Sequence, residues 1–404
     1  MRALAFAWRS LVRQPGRAGL GVLGVAAVGA LLFDMLLLSR GLLVSFQELL
    51  GGYGFDVRVA AVADLGRVEA QAGSRIRGLQ ATMAALAALP EVADIVPLRF
   101  GQVETQGKDH QALEVTLIGA QPGLGRQWTV VEGRDLDSSP GDGPTGALLN
   151  RALANGLNLR PGATLSLRGV CAPDRLTPPV RVSVLGIASF PFDSKKEMTA
   201  FVNLAAFSQI CGDPHPDQAD LLLVASRDGS GPDAAAEAIR RARPELHAFT
   251  NEEIVARFQR LQFSYFRQIS AALATLTLLF GFLLITVLLT VSVNQRLGEI
   301  AALRALGFSR RRVVADVLCQ SLLLVGSGAL LSLPLGLAMS TWLDAILKGM
   351  PGVPVNLHFF VFEPRALGQH MALLSLTALF AALYPMRLVA RLPIAATLRD
   401  EVGS

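Results

Sequence analysis

Few side chains in this sequence are grouped as chemistry requires. No GxxxxGK[ST] loop offers amides and a lysine to nucleotide phosphates, no HExxH pair is spaced for zinc, and no GxSxG turn presents a serine. Gly326-Ser327-Gly328 lies inside an apolar run with no histidine nearby to activate the hydroxyl. Cys211, Asp213, His215 and Asp217 bring metal-ligand types together, but Pro214 and Pro216 make the stretch an extended turn and no second cluster completes a four-ligand site. The chain is therefore expected to be no enzyme, with no metal and no cofactor of its own. Cys171 and Cys211 either remain two buried thiols or pair in an oxidising space, closing a loop of about 40 residues with about 3 to 4 kcal/mol of chain-entropy stabilisation. Asp34 stands in an apolar run, where a mid-bilayer carboxylate costs on the order of 3 kcal/mol. It either faces a substrate groove, packs against a partner helix, or reaches the outer boundary.

The stretch 293–313, VNQRLGEIAALRALGFSRRRV, holds charges that could transmit force rather than make bonds. Ile300, Leu303 and Leu306 recur at helical spacing and Gly307 is a good left-handed stop, so a helix of about three turns is expected. Arg296, Arg304, Arg310, Arg311 and Arg312 would set membrane orientation. An ordinary charged loop accounts for those arginines but not for Glu299.

The elements that must position this stretch follow from hydropathy. The chain has 404 residues, 51% of them hydrophobic and 17% charged, with a mean hydropathy of +0.44, too apolar for a typical soluble enzyme and too polar for a wholly embedded protein. The net charge of +5 does not point to nucleic acid, because the basic residues flank apolar runs instead of forming an aromatic-studded patch. Residues 1–17 form an amphipathic segment suited to the inner headgroups, with Leu4, Trp8, Leu11 and Val12 on one face and Arg2, Arg9 and Arg13 on the other. Spans are expected at 18–40, 268–293, 313–342 and 366–386, each long enough for the roughly 30 Å hydrocarbon layer. Gly21 and Gly24 leave a flat patch on the first. Cys319 in the third is expected to serve packing, and Pro334 to bend it.

Between the first two spans, 41–267 reads as a soluble α+β domain. Alternation predicts strands at 55–59, 113–118 and 164–167, and helical stretches at 83–89 and 151–159. Ile254, Phe258, Leu261, Tyr265 and Ile269 share one face, so 252–293 is expected either to form one continuous stalk helix or to be a soluble helix abutting the membrane. An outer loop at 343–365 and a tail at 387–404 complete the chain. The fold class is thus a membrane protein of four transmembrane helices with a large α+β extracytoplasmic domain between helices 1 and 2. The arginines at 2, 9, 13 and 17, those of the central loop, and Arg387, Arg391 and Arg399 all flank one side, which places both termini and the loop in the cytoplasm.

Glu299-Ile300, then Leu303-Arg304-Ala305-Leu306-Gly307 and Ser309-Arg310-Arg311, resemble the cytoplasmic loop of the MacB/FtsX-like permease family, membrane subunits of ABC systems that include macrolide exporters and lipoprotein-release complexes. Val131-Glu132-Gly133-Arg134, Arg160-Pro161-Gly162-Ala163 and the strand at 182–187 resemble the family's external domain. The ending resembles it as well, with Tyr384-Pro385, Arg387, Arg391, Leu392-Pro393 and Leu398-Arg399, although Met386 and Leu388 replace its small residues. The resemblance implies that Glu299, Ile300, Leu303, Arg304, Ala305, Leu306 and Gly307 form a coupling helix docked on a separate ABC ATPase, which would bind the ATP and Mg that this chain does not. It implies a bilobed external domain, the distal lobe at about 129–219. It also implies a second permease chain, identical or related, in a bacterial inner membrane, a periplasmic adaptor or lipoprotein alongside, lipid contacts, and no nucleic acid. The function implied is export or release of a hydrophobic or lipidated substrate by mechanotransmission. The alternatives are an FtsX-like regulator of an extracytoplasmic hydrolase or sensor, which transports nothing, and a membrane-anchored binding protein without an ATPase.

Overall fold

The computed structural model describes residues 15–62, 75–107, 111–121, 128–136, 145–170, 176–213, 215–261, 263–295, 298, 309–350, 353–354, 356–362 and 364–391. The chain divides into two compact units, one of residues 1–42, 262–345 and 359–404, the other of 43–261 and 346–358.

The first unit is helical. Its helices are α1 (Pro15–Gly51), α7 (Phe263–Asn294), α8 (Arg310–Leu347) and α9 (Pro364–Arg391). Among the described residues these four are long and apolar enough to cross a membrane, over Ala18–Gly51, Gln268–Val291, Leu322–Leu347 and Pro364–Arg387. The 34 residues of the first stretch would measure about 51 Å, more than one hydrocarbon thickness. Its last turns, from Leu43 onward, accordingly belong to the second unit. Inside the bundle Val25, Ile285, Leu289, Val325 and Ala381 form one core, while Leu20, Phe280, Leu322 and Leu330 stay exposed on its outside. Apolar side chains on the outer surface are what lipid solvates at no cost. Helix approach relies on small residues. A Cβ at Gly21 would meet Leu324 and one at Gly24 would meet Leu284, each at 3.1 Å; the approach is closer at Gly29, where it would lie 2.8 Å from Ser332 Cβ, and at Gly328, where it would lie 2.7 Å from Val25 Cβ. Pro334 lies inside α8 and Pro385 inside α9, which continues to Arg391.

The second unit is built on one sheet. Its strands are β1 (Val57–Ala60), β3 (Val92–Gln106), β4 (Ala112–Ala120), β5 (Thr129–Gly133), β6 (Gly146–Leu149), β7 (Thr164–Gly169), β8 (Val180–Ser189), β9 (Thr199–Asn203), β11 (Leu221–Ser226) and β12 (His247–Thr250), in the order β12-β1-β11-β3-β4-β9-β6-β8-β5, with β7 against β3 and β8. The short strands β2 (Ile76–Arg77) and β10 (Gln218–Ala219) pair separately. Most pairings are antiparallel, and β4 with β9 and β6 with β8 run parallel. The helices are α2 (Leu79–Ala87), α3 (Arg151–Leu157), α4 (Leu204–Cys211), α5 (Pro232–Ala242) and α6 (Asn251–Leu261).

Period-two alternation sorts the strand residues onto two faces. On one face Val57, Val59, Leu222 and Val224 pack with Leu86 of α2 and Ile239 of α5. Farther along that face Val103, Leu117, Ala200 and Val202 pack with Leu153 of α3 and Phe207 of α4. The opposite face carries Phe55, Leu98, Leu148, Phe190, Phe201 and Leu223. The 15-residue β3 reaches both helix-side cores, so one strand joins the two halves of the domain. Gly133 ends β5 at φ +89°, and a Cβ there would sit 2.4 Å from the Leu185 carbonyl, so both its conformation and its contact require glycine. The strands expected at 55–59, 113–118 and 164–167 appear as β1, β4 and β7. The helices expected at 83–89 and 151–159 appear as α2 and α3, the latter capped by Asn150, whose side chain accepts from Leu153 N–H. The expected stalk is described as α6 and α7, with Gln262 between them outside the described residues.

Candidate functional site

Glu299, Ile300, Leu303, Arg304, Ala305, Leu306 and Gly307 lie outside the described residues. α7 ends before them at Asn294 and α8 begins after them at Arg310, so the stretch connects the second span to the third.

Asp34 is fully buried in the helical unit, on α1. The Ser340 hydroxyl of α8 donates to its Oδ1, and among the described residues its Oδ2 has no partner. Ser340 Oγ also lies 2.9 Å from the Gly336 carbonyl, one turn back in its own helix. A second polar pair lies in the same bundle, where Ser332 Oγ of α8 stands 2.8 Å from His370 Nε2 of α9. The Phe33 ring lies 5.2 Å from the His370 ring. Both ionisable groups therefore point into the bundle and not toward lipid, as the cost of burying charge in hydrocarbon demands. Sequence reading singled out Asp34 but missed His370. A histidine inside the apolar run 364–387 was the available signal.

In the external unit Cys211 closes α4, is buried and is disulfide-bonded, while Cys319 is free. Cys171 lies outside the described residues. Peptide mapping without reductant is expected to recover a Cys171–Cys211 linked peptide. Cys211→Ser should lower the melting temperature by roughly 6 to 16 °C, the equivalent of about 3 to 4 kcal/mol in a domain of this size. Two alkylatable thiols in the native protein would remove that pairing.

The ligand-type cluster after Cys211 is spent on structure. Asp213 accepts from His215 N–H at 3.0 Å and lies 2.5 Å from Arg99 Nη2. Asp217 accepts from Gln80 N–H. Among the described residues no group of His, Cys, Asp and Glu is placed to hold a metal ion. Arg99, 1% exposed, is the largest fully buried side chain among the described residues, and it lies 4.8 Å over the Phe207 ring. Asp220 stands 3.2 Å from Arg75 Nε and 3.9 Å from Arg99 Nε, and it accepts from Phe100 N–H at 2.8 Å. Burial pushes the Asp220 carboxyl up despite both arginines. At Asp213 burial pushes the same way, but the His215 amide and Arg99 outweigh it and hold that carboxyl below its ordinary value.

Four apolar helices joined to a sheet-rich domain inserted after the first define an integral membrane protein with a large extramembrane domain. Comparison with known proteins names the class further. Residues 19–242 match the MacB-like periplasmic core domain, and residues 271–394 match the FtsX-like permease C-terminal domain. The chain therefore belongs to the MacB/FtsX-like family of ABC-type permeases. Among solved structures it is similar to the extracellular domain of the ABC-type transporter YknZ from Gram-positive bacteria, at 12% identity over 48% of this chain and 99% of that one, with a TM-score of 0.34. It is similar to the periplasmic region of MacB from Actinobacillus actinomycetemcomitans, at 11% identity over 52% and 94% of the two chains, TM-score 0.35. A domain of a putative permease protein from Porphyromonas gingivalis matches at 17% identity over 48% and 87%, TM-score 0.30. No curated protein matches the chain.

Proposed function

We propose that this chain is the membrane subunit of an ABC transporter in which a separate ATPase supplies the energy and the external domain delivers the movement. One observation carries the reading. An FtsX-like permease domain at residues 271–394 and a MacB-like periplasmic core domain at residues 19–242 share this chain. Two permease chains, identical or related, would sit above two ATPase subunits, with the helix at 299–307 docked on each ATPase. ATP and Mg would be bound by those partners. Closure of the ATPases would push the coupling helices, shift α6 and α7, and change the spacing of the external domains. This is a rigid-body transmission biased by nucleotide state.

The substrate class that suits this action is a hydrophobic or lipidated molecule taken from the outer leaflet or the periplasm, handed to an adaptor or released. The bacterial inner membrane is the setting that fits, with both termini cytoplasmic and the domain 41–267 outside. Cysteine labelling at positions 138 and 309 is expected to report opposite sides of the membrane, and equal accessibility would overturn the topology. Reconstitution with a candidate ABC ATPase from the same organism tests the function itself. Stimulated hydrolysis that depends on this subunit is expected, and an ATPase indifferent to it would refute the proposal.

A further inference from the structure

The external unit contains a cavity of about 860 Å³, walled by the sheet face opposite the two helix-covered cores, the last turns of α1, α6 and the loop at 190–198. That volume holds one drug-sized molecule. Its floor is set by strand register. Phe100 pairs with Ile118 and Ile118 with Phe201, so one row across β3, β4 and β9 is wholly apolar. The next row, one pleat along, is Gln102, Thr116 and Thr199, wholly polar. The same three strands thus change from oily to hydrogen-bonding within about 7 Å, the rise of two residues.

The apolar end is aromatic. Phe190 stacks on Phe201 at 4.7 Å, Tyr53 and Phe55 stand close by, and Phe192 in the cavity wall remains 50% exposed. The polar end is acidic. The titratable groups lining the whole cavity are Tyr53, Arg58, Glu114, Asp193, Lys196 and Glu197. Arg58 is already engaged, donating to the Asn251 side chain and the Leu50 carbonyl. Asp193 accepts from the Phe190 amide and the Asn150 side chain, and burial pushes its carboxyl up to about 6, with Glu197 adding to the effect. Three carboxyl groups thus line the cavity against two cations, Arg58 and Lys196, beside aromatic faces that attract cations.

We propose that this cavity binds an amphipathic cation, its alkyl or aromatic body on the Phe100, Ile118 and Phe201 row and its ammonium group toward Asp193, Glu197 and Glu114. The inference deepens the transport reading, on which its role in export rests, by giving a single external domain its own substrate-binding site. Binding itself needs neither nucleotide nor ATPase.

The test uses the full chain in phosphatidylcholine nanodiscs, photolabelled with a dodecyltrimethylammonium analogue carrying a diazirine on its chain and mapped by peptide mass spectrometry. Labels are expected in 98–118 and 190–201. Unlabelled dodecyltrimethylammonium should compete, and laurate, with the same chain length and opposite charge, should not. The double variant Glu114→Gln, Glu197→Gln changes two exposed side chains and should retain the fold, yet lose labelling by roughly tenfold, as expected for two partly screened charge contacts. Labels confined to the spans would overturn the proposal, as would equal competition by laurate or undiminished labelling of the double variant. Failure here leaves the coupling reading intact, and a chain uncoupled from its ATPase that still takes the label leaves this site intact.

Discussion

Charge reversal at Glu299 or Arg304 is expected to abolish partner-stimulated ATP hydrolysis and transport while leaving expression and membrane insertion unchanged. If residues 299–307 form the proposed coupling helix, a carboxylate and a guanidinium would accompany the apolar residues Ile300, Leu303 and Leu306 in the contact. Such a surface docks by burial and is registered by its charges. Reversing one charge in a contact closed to water leaves its counterpart unpaired, a loss of about 2 to 5 kcal/mol, or roughly thirtyfold and more in affinity. Glu299→Arg and Arg304→Glu should therefore co-purify little ATPase and give basal hydrolysis only. The four spans need neither side chain to insert, so membrane yield should match the parent. Full stimulation and transport in either variant would exclude the contact.

The second large effect belongs to the external domain. Arg99→Met is expected to destabilise it by about 3 to 5 kcal/mol, because removing one partner of a buried ionic network leaves its charges uncompensated. Arg99 lies between Asp213 and Asp220, with Arg75 as the other cation, and Phe207 covers its guanidinium. Thermal melting of the purified chain should fall by roughly 6 to 20 °C. The double variant Arg99→Met, Asp213→Asn should recover part of the loss, since the orphaned charge is then gone. Additive losses would mean that the two side chains do not interact.

The pH dependence of this network follows from its two carboxyls. Asp213 is held below its unfolded value of 3.8, so its stabilisation is present above that pH and is lost as pH falls through the lower folded value. Asp220 is raised, so it works in the opposite sense, and the stability it adds below pH 3.8 is lost as pH rises through its higher folded value. Acid destabilisation at this network is thus expected to follow Asp213 and to vanish in Asp213→Asn.

Much of the local structure could be read directly because it depends on neighbours in sequence. The alternation over 55–59, seen as β1, and the helical stretch at 151–159, seen as α3, are decided within a few residues. β3 was harder to read, since Pro97 and Gly101 interrupt its pattern, and it is held by pairing with β11 and β4 on its two sides. α5 had a plain signature that went unread, with Pro232 and Asp233 in its first turn and Arg240 and Arg241 in its last. The turn-forming cluster from Cys211 to Asp217 was legible as a poor metal site, but nothing near it announces that Asp213 answers an arginine in β3.

By itself the sequence determined that this is a membrane protein of four spans with a large folded insert after the first. Hydrocarbon imposes a one-dimensional requirement, some twenty apolar residues in a row with arginines at the inner edge, and that is visible in any window of the chain. Tertiary structure alone decided which polar groups meet: Asp34 with Ser340, 306 positions away, Asp213 with Arg99, and an aromatic row with a polar row across three strands. Those contacts depend on strand order and helix approach, and non-local pairing leaves no periodic trace in the residues it joins.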